Sequence, residues 1–356
     1  MPPESLRILL VDDSPFVHHL LRDLLSTEAD LQLVECVKDG ASALRALEKH
    51  HPDVILLDME LPDMNGLDVL ARINQLRPVP VLIFSAFTQN RSTTALKALQ
   101  LGAVDFLQKP HGDLEHLRSL RQELVRKVRS AALLGRRSQQ MRKRGTGPLR
   151  PRGSLREADL ALLHTTRARV LVLAASTGGP QALQEVLATL PKSFPVPILV
   201  VQHMPAHATQ ALVIRLAQHS PLRVREAHTG DTLQPGTALI IPGDYHGVLD
   251  EQGRIFLHQE APVNSVRPSA DVTLNSVARS LSGQVMAVIL TGMGQDGLQG
   301  VEFLRRAGGR CVAEDESSCV VYGMPRAVIE NRLAHGVAPL SEMAAEIIRQ
   351  LAQWQV

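Results

Sequence analysis

Short apolar runs alternate with helix-like patterns from the first residues onward. "RILLV", "LQLVECV", "VILLD", "VLIFSA" and "DFLQK" predict five strands. Between them, "PFVHHLLRDLLSTEA", "GASALRALEKH", "GLDVLARINQL" and "STTALKALQLG" repeat apolar residues at i, i+3 and i+4 and predict helices. Such alternation predicts an α/β fold, a doubly wound parallel sheet whose site lies at the carboxyl ends of the strands. The periodicity stops near Leu134. The stretch "GRRSQQMRKRGTGPLRPRGSLREAD" is dense in Arg, Lys, Gly and Pro and cannot offset its ordering entropy by burial, so a mobile linker is expected. Its positive charge suits an acidic partner or lipid headgroups, although a solvated tether is the plainer reading. Patterning resumes near Arg169 with "ARVLVLAAS", "PVPILVVQHMP" and "GQVMAVILTGMGQDG", short apolar runs typical of a second buried parallel sheet. The expected organisation is a first domain over residues 1–132, a basic linker over 133–167 and a second α/β domain over 168–356.

The length of 356 residues fits two domains, each burying its own core. A net charge of +2 and 3% aromatic residues argue against a nucleic-acid partner. No apolar stretch approaches the roughly 20 residues of a transmembrane helix. "MPPESLRILLVDD" lacks the regions of a signal peptide and enters a strand almost at once. Cys36, Cys311 and Cys319 form no CxxC pair and no metal spacing, so buried thiols in a reducing cytoplasm are expected.

The strand ends of the first domain carry the chemistry. Asp12 and Asp13 follow the first strand and Asp58 the third; Ser85 follows the fourth, and Lys109 with Pro110 the fifth. Singly, each aspartate is an ordinary turn or cap residue. Together, carboxylates converging on one edge repel unless a cation sits among them, and hard oxygen ligands suit Mg²⁺. Lys109 would add a second positive point and Ser85 a donor for an incoming phosphoryl group, with Asp58 as the carboxylate nucleophile that forms an acyl phosphate.

In the second half, Ser176, His203 and Asp296 each follow a separate strand. A serine hydroxyl needs a base, an imidazole serves near neutral pH, and a buried carboxylate fixes its tautomer. Gly178 and Gly179 let backbone amides approach a ligand at a helix start, and "TGMG" offers a second set around Met293, so either could form an oxyanion hole. Alternatives stand beside this reading. Ser176 could cap the following helix. "STGGP" could cradle phosphate, but no GxxxxGK[ST] or GxGxxG is present. His207, His246 and His258 rival His203, and Asp296 before Gly297 could be a turn residue.

Residues 5 to 130 resemble the flavodoxin-like receiver domain of bacterial response regulators, through "LLVDDS", "LLDMELPDMNG", "FSA" and "LQKP". The resemblance implies phosphorylation of Asp58 by a histidine kinase. It implies Mg²⁺ held by Asp13, Asp58 and the Met59 carbonyl with help from Asp12, and a relay through Ser85 and Phe106. From about 168 to 350, "AASTGGP", "VVQHMP", "SVRPSADVTLNSVA", "VILTGMGQDG" and "EDESSCVVYGMPRA" resemble the chemotaxis protein-glutamate methylesterase family, CheB. Ala174 stands where that family commonly has glycine. By this resemblance Ser176 is the nucleophile, His203 the base and Asp296 its orienting carboxylate, while Thr177 and Met293 border the pocket. The implied substrates are glutamate methyl esters, and glutamine side chains for deamidation, on methylated chemoreceptor helices. That chemistry needs no cofactor and serves sensory adaptation. A receiver that covers the crevice until phosphorylated would make the enzyme switchable. The competing expectations are a non-catalytic, phosphorylation-dependent binding output and an esterase for small molecules.

Overall fold

The computed structural model describes residues 5–85, 97–98, 101–109, 120–121, 123–132, 135, 163 and 166–354. The chain divides into two compact units, Met1–Gly147 and Pro148–Val356. That division falls within the basic stretch read as a linker. Residues 136–162 of that stretch lie outside the described residues, as does most of the helix predicted over 92–102.

In the first unit β1 (Leu6–Val11), α1 (Pro15–Ser26), β2 (Leu31–Val37), α2 (Gly40–His50), β3 (Val54–Leu57), α3 (Gly66–Leu76), β4 (Val81–Ser85) and β5 (Asp105–Gln108) follow the alternation read from the sequence. Short polar side chains start each helix. Ser14 Oγ accepts the Val17 N–H before α1, Asp39 accepts that of Ser42 before α2, and Asn65 that of Leu67 before α3. The strands form one parallel sheet in the order β2-β1-β3-β4-β5. Leu9, Val11, Ile55 and Leu57 pack on one face with Val69, Leu70 and Ile73 of α3. Ile8, Leu10, Leu56 and Phe84 pack on the other with Leu21 of α1 and with Leu124, Val128 and Ala131 from helical residues 123–132. The order reverses between β1 and β3, and a crevice opens at such a switch point beyond the carboxyl ends of the strands. Asp12 and Asp58 stand at those two ends.

The second unit contains β6 (Val170–Ala175), α4 (Gly179–Thr189), β7 (Ile198–Gln202), α5 (Ala206–His219), β8 (Arg223–Glu226), β9 (Thr237–Ile240), β10 (His246–Leu249), β11 (Ile255–His258) and α6 (Ala270–Ser280). It continues through β12 (Val285–Ile289), α7 (Leu298–Arg306), β13 (Arg310–Glu314), α8 (Met324–Glu330), β14 (Gly336–Ala338) and α9 (Leu340–Ala352). The sheet is parallel and seven-stranded, ordered β14-β13-β12-β6-β7-β9-β8, while β10 and β11 form a separate antiparallel pair. Of these strands the sequence pattern singled out β6, β7 and β12. Leu171, Leu173 and Ala175 of β6 point into one core with α4 and α9; Val170, Val172 and Ala174 point into the other with α6 and α7. Every β6 residue is fully buried, as expected of a strand covered on both faces. The chain turns back between β6 and β12, which puts this unit's switch point at the end of β6.

Cys311 and Cys319 are buried thiols as expected, but Cys36 is only half-buried, because it lies on β2 at the sheet edge. Among the described residues no helix is long and apolar enough to cross a membrane.

Candidate active site and phosphoryl-acceptor pocket

At the first switch point, oxygen atoms of Asp12, Asp13 and Asp58 lie within 4.8 Å of one another. Asp12 and Asp58 are buried and Asp13 is exposed, so the cluster is open on one side. Lys109 Nζ lies 2.6 Å from both Asp12 Oδ2 and Asp58 Oδ2. Burial alone would depress the lysine's pKa, but these two carboxylates outweigh it and leave the ammonium above its ordinary value. Burial pushes the Asp12 carboxyl up, against the opposing pull of Lys109. A buried acid held above its usual range beside two other carboxylates fits a hard divalent cation, whose charge would relieve that penalty. The backbone N–H groups of Met59 and Glu60 donate to Asp58 Oδ1 at 2.6 and 3.3 Å, while Oδ2 faces Lys109. The Met59 carbonyl accepts the Gly66 N–H. Phe106, on β5, is buried and pairs with Ile83. Ser85 ends β4 opposite Gln108, and its side chain lies outside the described residues.

The second unit gathers its polar residues in the same way. β6 pairs with β7 up to Ala175 opposite Gln202, so Ser176 and His203 are the next residues of adjacent strands, where parallel neighbours run about 4.8 Å apart. The His203 N–H donates to the Ala175 carbonyl at 3.0 Å, and the Ser176 N–H donates to the Thr291 carbonyl just past β12 at 3.1 Å. Gln202 ties the two together: its buried Nε2 donates to the Ser176 carbonyl at 2.8 Å and to the His203 carbonyl at 3.0 Å. His203 Nε2 bonds Asp296 Oδ2 at 2.8 Å. With that carboxylate ionised, Nε2 carries the proton and Nδ1 is left as the basic nitrogen. Among the described residues no hydrogen bond joins Ser176 Oγ to His203; such contacts commonly tighten once substrate is bound.

Asp296, two residues before α7, is buried against the start of α6. Its Oδ1 accepts Ser269 Oγ at 2.7 Å, Asn264 Nδ2 at 2.9 Å and the Asp271 N–H at 3.3 Å; its Oδ2 accepts the Ala270 N–H at 2.6 Å beside His203. Burial alone would raise this acid. The His203 contact, then Ser269 and the Ala270 amide, overcome that and hold it down at about 2. A carboxylate so well solvated by donors, at the positive end of a helix dipole, is a poor proton acceptor and a good orienting charge. Ser269 caps the same helix, its Oγ accepting the Val272 N–H at 3.5 Å, so one hydroxyl both starts α6 and holds Asp296.

Ser176 is not a helix cap. The cap position of α4 falls on Gly178, no side chain bonds there, and Ser176 contributes only its carbonyl, which accepts the Gly179 N–H at 2.8 Å. Gly178 has φ 83°, and a Cβ there would lie 2.3 Å from Val320 Cγ2, so the turn that frees Ser176 admits only glycine. Thr177 is buried, and its carbonyl accepts Thr291 Oγ1 at 3.0 Å. The Thr291 N–H donates in turn to Glu314 Oε2 at 2.7 Å. Among the described residues no acceptor takes the N–H of Thr177 or of Met293, whose side chain is half-buried. His246 does not compete with His203. It is buried behind the site, where its Nδ1 accepts the Ser269 N–H at 3.2 Å. His258 lies against its ring, and the side chain of His207 lies outside the described residues.

Sequence reasoning passed over Gln202, Asn264, Ser269, Asp271, Thr291 and Glu314. Gln202 and Glu314 carried a signal, a polar residue ending a buried strand. The others lie in turns or helix starts, where such residues are ordinary.

An acid pocket of phosphoryl-acceptor type in one unit, and a hydroxyl, an imidazole and a carboxylate gathered at the switch point of the other, describe a class: response regulators that carry a hydrolase-like output domain. Comparison with known proteins narrows it. Residues 8–121 match the response regulator receiver domain and residues 171–347 match the CheB methylesterase domain. The chain is 40% identical over 355 residues to the protein-glutamate methylesterase/protein-glutamine glutaminase of Symbiobacterium thermophilum, covering 98% of each. It is 37% identical over 356 residues to the Thermotoga maritima protein of the same name, covering 98% of this chain and 99% of that one. The crystal structure of the Thermotoga maritima CheB methylesterase catalytic domain superposes with a TM-score of 0.50 at 42% identity, over 51% of this chain and 98% of that one. The chain belongs to the CheB methylesterase family.

Proposed function

We propose that the protein is a phosphorylation-regulated hydrolase that removes methyl groups from glutamate methyl esters on chemoreceptors, deamidates glutamines there, and so serves sensory adaptation. The observation that carries this reading is the bond from His203 to an ionised Asp296 beside Ser176, within a family whose curated relatives are named for both reactions. Ser176 Oγ attacks the ester carbonyl carbon and its proton passes to His203 Nδ1, while Asp296 stabilises the imidazolium. The free N–H groups of Thr177 and Met293 are the donors proposed for the developing oxyanion, with Gly178 shaping the turn. His203 then returns the proton to the leaving methoxide oxygen, which departs as methanol, or to the leaving amide nitrogen, which departs as ammonia when the substrate is a glutamine. Water attacks the acyl-serine with the same base, releasing glutamate and restoring Ser176.

In the first unit, Asp58 is the proposed phosphoryl acceptor, fed by a histidine kinase. Asp13, Asp58 and the Met59 carbonyl, assisted by Asp12, would hold Mg²⁺, which when bound neutralises charge on the phosphoryl group. Lys109 supplies a second positive charge there, and Ser85 and Phe106 are the proposed relay. A cytoplasmic enzyme organised as a receiver (1–132), a basic tether (133–167) and an esterase domain (168–356) is the matching organisation. The test is methanol release from methylated receptor. Turnover by the parent that is lost in Ser176→Ala supports the esterase. Phosphorylation-dependent receptor binding without methanol would replace it with the binding output, and hydrolysis of simple esters without receptor preference would replace it with a small-molecule esterase.

A further inference from the structure

The loop that precedes α6 makes a tight turn at Val263–Val266, where the two valines exchange both backbone hydrogen bonds, at 3.2 and 3.0 Å. Its central residues, Asn264 and Ser265, have φ 54° and 63°. Two left-handed residues between paired ends make a type I′ turn, in which asparagine is favoured at the first position for its backbone alone. The side chain of Asn264 nevertheless goes somewhere specific. Its Nδ2 donates to Asp271 Oδ2 at 2.8 Å and to Asp296 Oδ1 at 2.9 Å. Asp271 is buried, and its other oxygen accepts the Gly300 N–H at 2.7 Å, at the start of the helix that follows Asp296. Two buried carboxylates thus share one amide. Among the described residues Asn264 is the one donor that touches both.

We infer that Asn264 is a positioning residue for the hydrolytic site: its amide separates Asp271 from Asp296 and holds Asp296 Oδ1, so that Oδ2 stays aimed at His203. The inference rests on the Ser176–His203–Asp296 reading. It differs from a turn-forming role in a checkable way. Glycine suits a type I′ turn at least as well as asparagine and has no amide, whereas aspartate also tolerates the turn but can donate only when protonated. The charged groups that position 264 touches are Asp271 and Asp296, with His203 beyond Asp296; His246, which feels Asp296 as well as Arg267 and His258, lies on the far side of the same carboxylate. A third acid placed there meets two carboxylates directly. Burial and Asp296 already push Asp271 up, so an acid at 264 would be protonated well above the ordinary carboxylate range.

The experiment uses the full chain and methylated receptor, with methanol release as the rate. Asn264→Gly is expected to unfold at a somewhat lower temperature but to keep its KM at the assay temperature, while kcat falls by roughly 10-fold or more. Asn264→Asp is expected to be impaired near pH 8, with its rate relative to the parent rising as the pH falls towards about 6. Full turnover in Asn264→Gly overturns the inference. So does an Asn264→Asp to parent ratio that stays flat with pH, and this arm still decides the matter if the glycine variant fails to fold. Ser176→Ala, assayed alongside, keeps the two readings apart. Were it to retain full turnover, the triad reading would fall and the inference with it; were it inactive while both Asn264 variants matched the parent, only the inference would fall.

Discussion

At the scale of single residues, the structure separates the chemical groups from those that hold them. Asp296 does not depend on His203 alone; the first turn of α6 solvates it, which keeps it ionised and fixes which oxygen meets the imidazole. Asp296→Asn would keep the shape but present an amide to Nε2 and favour the wrong tautomer. Turnover should fall by about 10³- to 10⁴-fold with little change in KM, measured by methanol release. His246 gives a second residue-level test. Burial holds its pKa below the ordinary value, while in the unfolded chain it titrates near about 6.5. Below that pH the unfolded state binds the extra proton, so stability falls as pH falls. His246→Asn keeps an acceptor for the Ser269 N–H and cannot take up that proton, so its urea midpoint should vary less between about pH 7 and 5 than the parent's. The residues proposed for the chemistry were singled out because serine, histidine and aspartate are conspicuous at the ends of apolar runs. Asn264, Ser269 and Asp271 were not, because an asparagine in a turn and a serine before a helix satisfy local rules without reference to anything distant.

At the scale of elements, the strands easiest to read are those with long apolar runs, most of them covered on both faces. β1, β3, β6, β7 and β12 are near-continuous apolar runs, and their ends frame both pockets. β8 ("RVRE") is an edge strand with charges that blunt its open side, β13 ("RCVAE") ends in a buried glutamate, and β14 has three residues, so none announces itself by hydropathy. Turns also carry function. Gly66 opens α3 so close to the acceptor loop that a Cβ would lie 2.5 Å from the Asp58 carbonyl and 2.7 Å from Met59 Cα. Gly66→Ala must move that backbone. It should abolish labelling of Asp58 by a small phosphodonor while leaving basal ester hydrolysis intact, as read by phosphate incorporation and methanol release on the same preparation.

At the scale of the whole molecule, two units with their own sheets and buried clusters predict that residues 148–356 fold and hydrolyse ester without the receiver. Cooperative denaturation of that fragment, with methanol release, is the check. In the full chain, acetyl phosphate with Mg²⁺ should raise turnover, by roughly 5- to 150-fold for a coupling of about 1–3 kcal/mol. Asp58→Asn should remove the increase without touching the basal rate. Two units were legible because the apolar rhythm stops and restarts. How they are coupled was not, because a basic, glycine- and proline-rich stretch has no periodic signal to interpret.

The order of the seven strands also sets a clock. β6 and β7 are adjacent in space and close in sequence, but β12, which lies on the other side of β6, is translated some 80 residues after them. On the ribosome, Ser176 and His203 can therefore sit side by side in a nascent chain while the position that Asp296 will occupy is still empty. On the proposed triad, the half-made protein has a hydroxyl and an imidazole with nothing to orient them, and full hydrolytic power would arrive only once the last third of the polypeptide has been threaded into place.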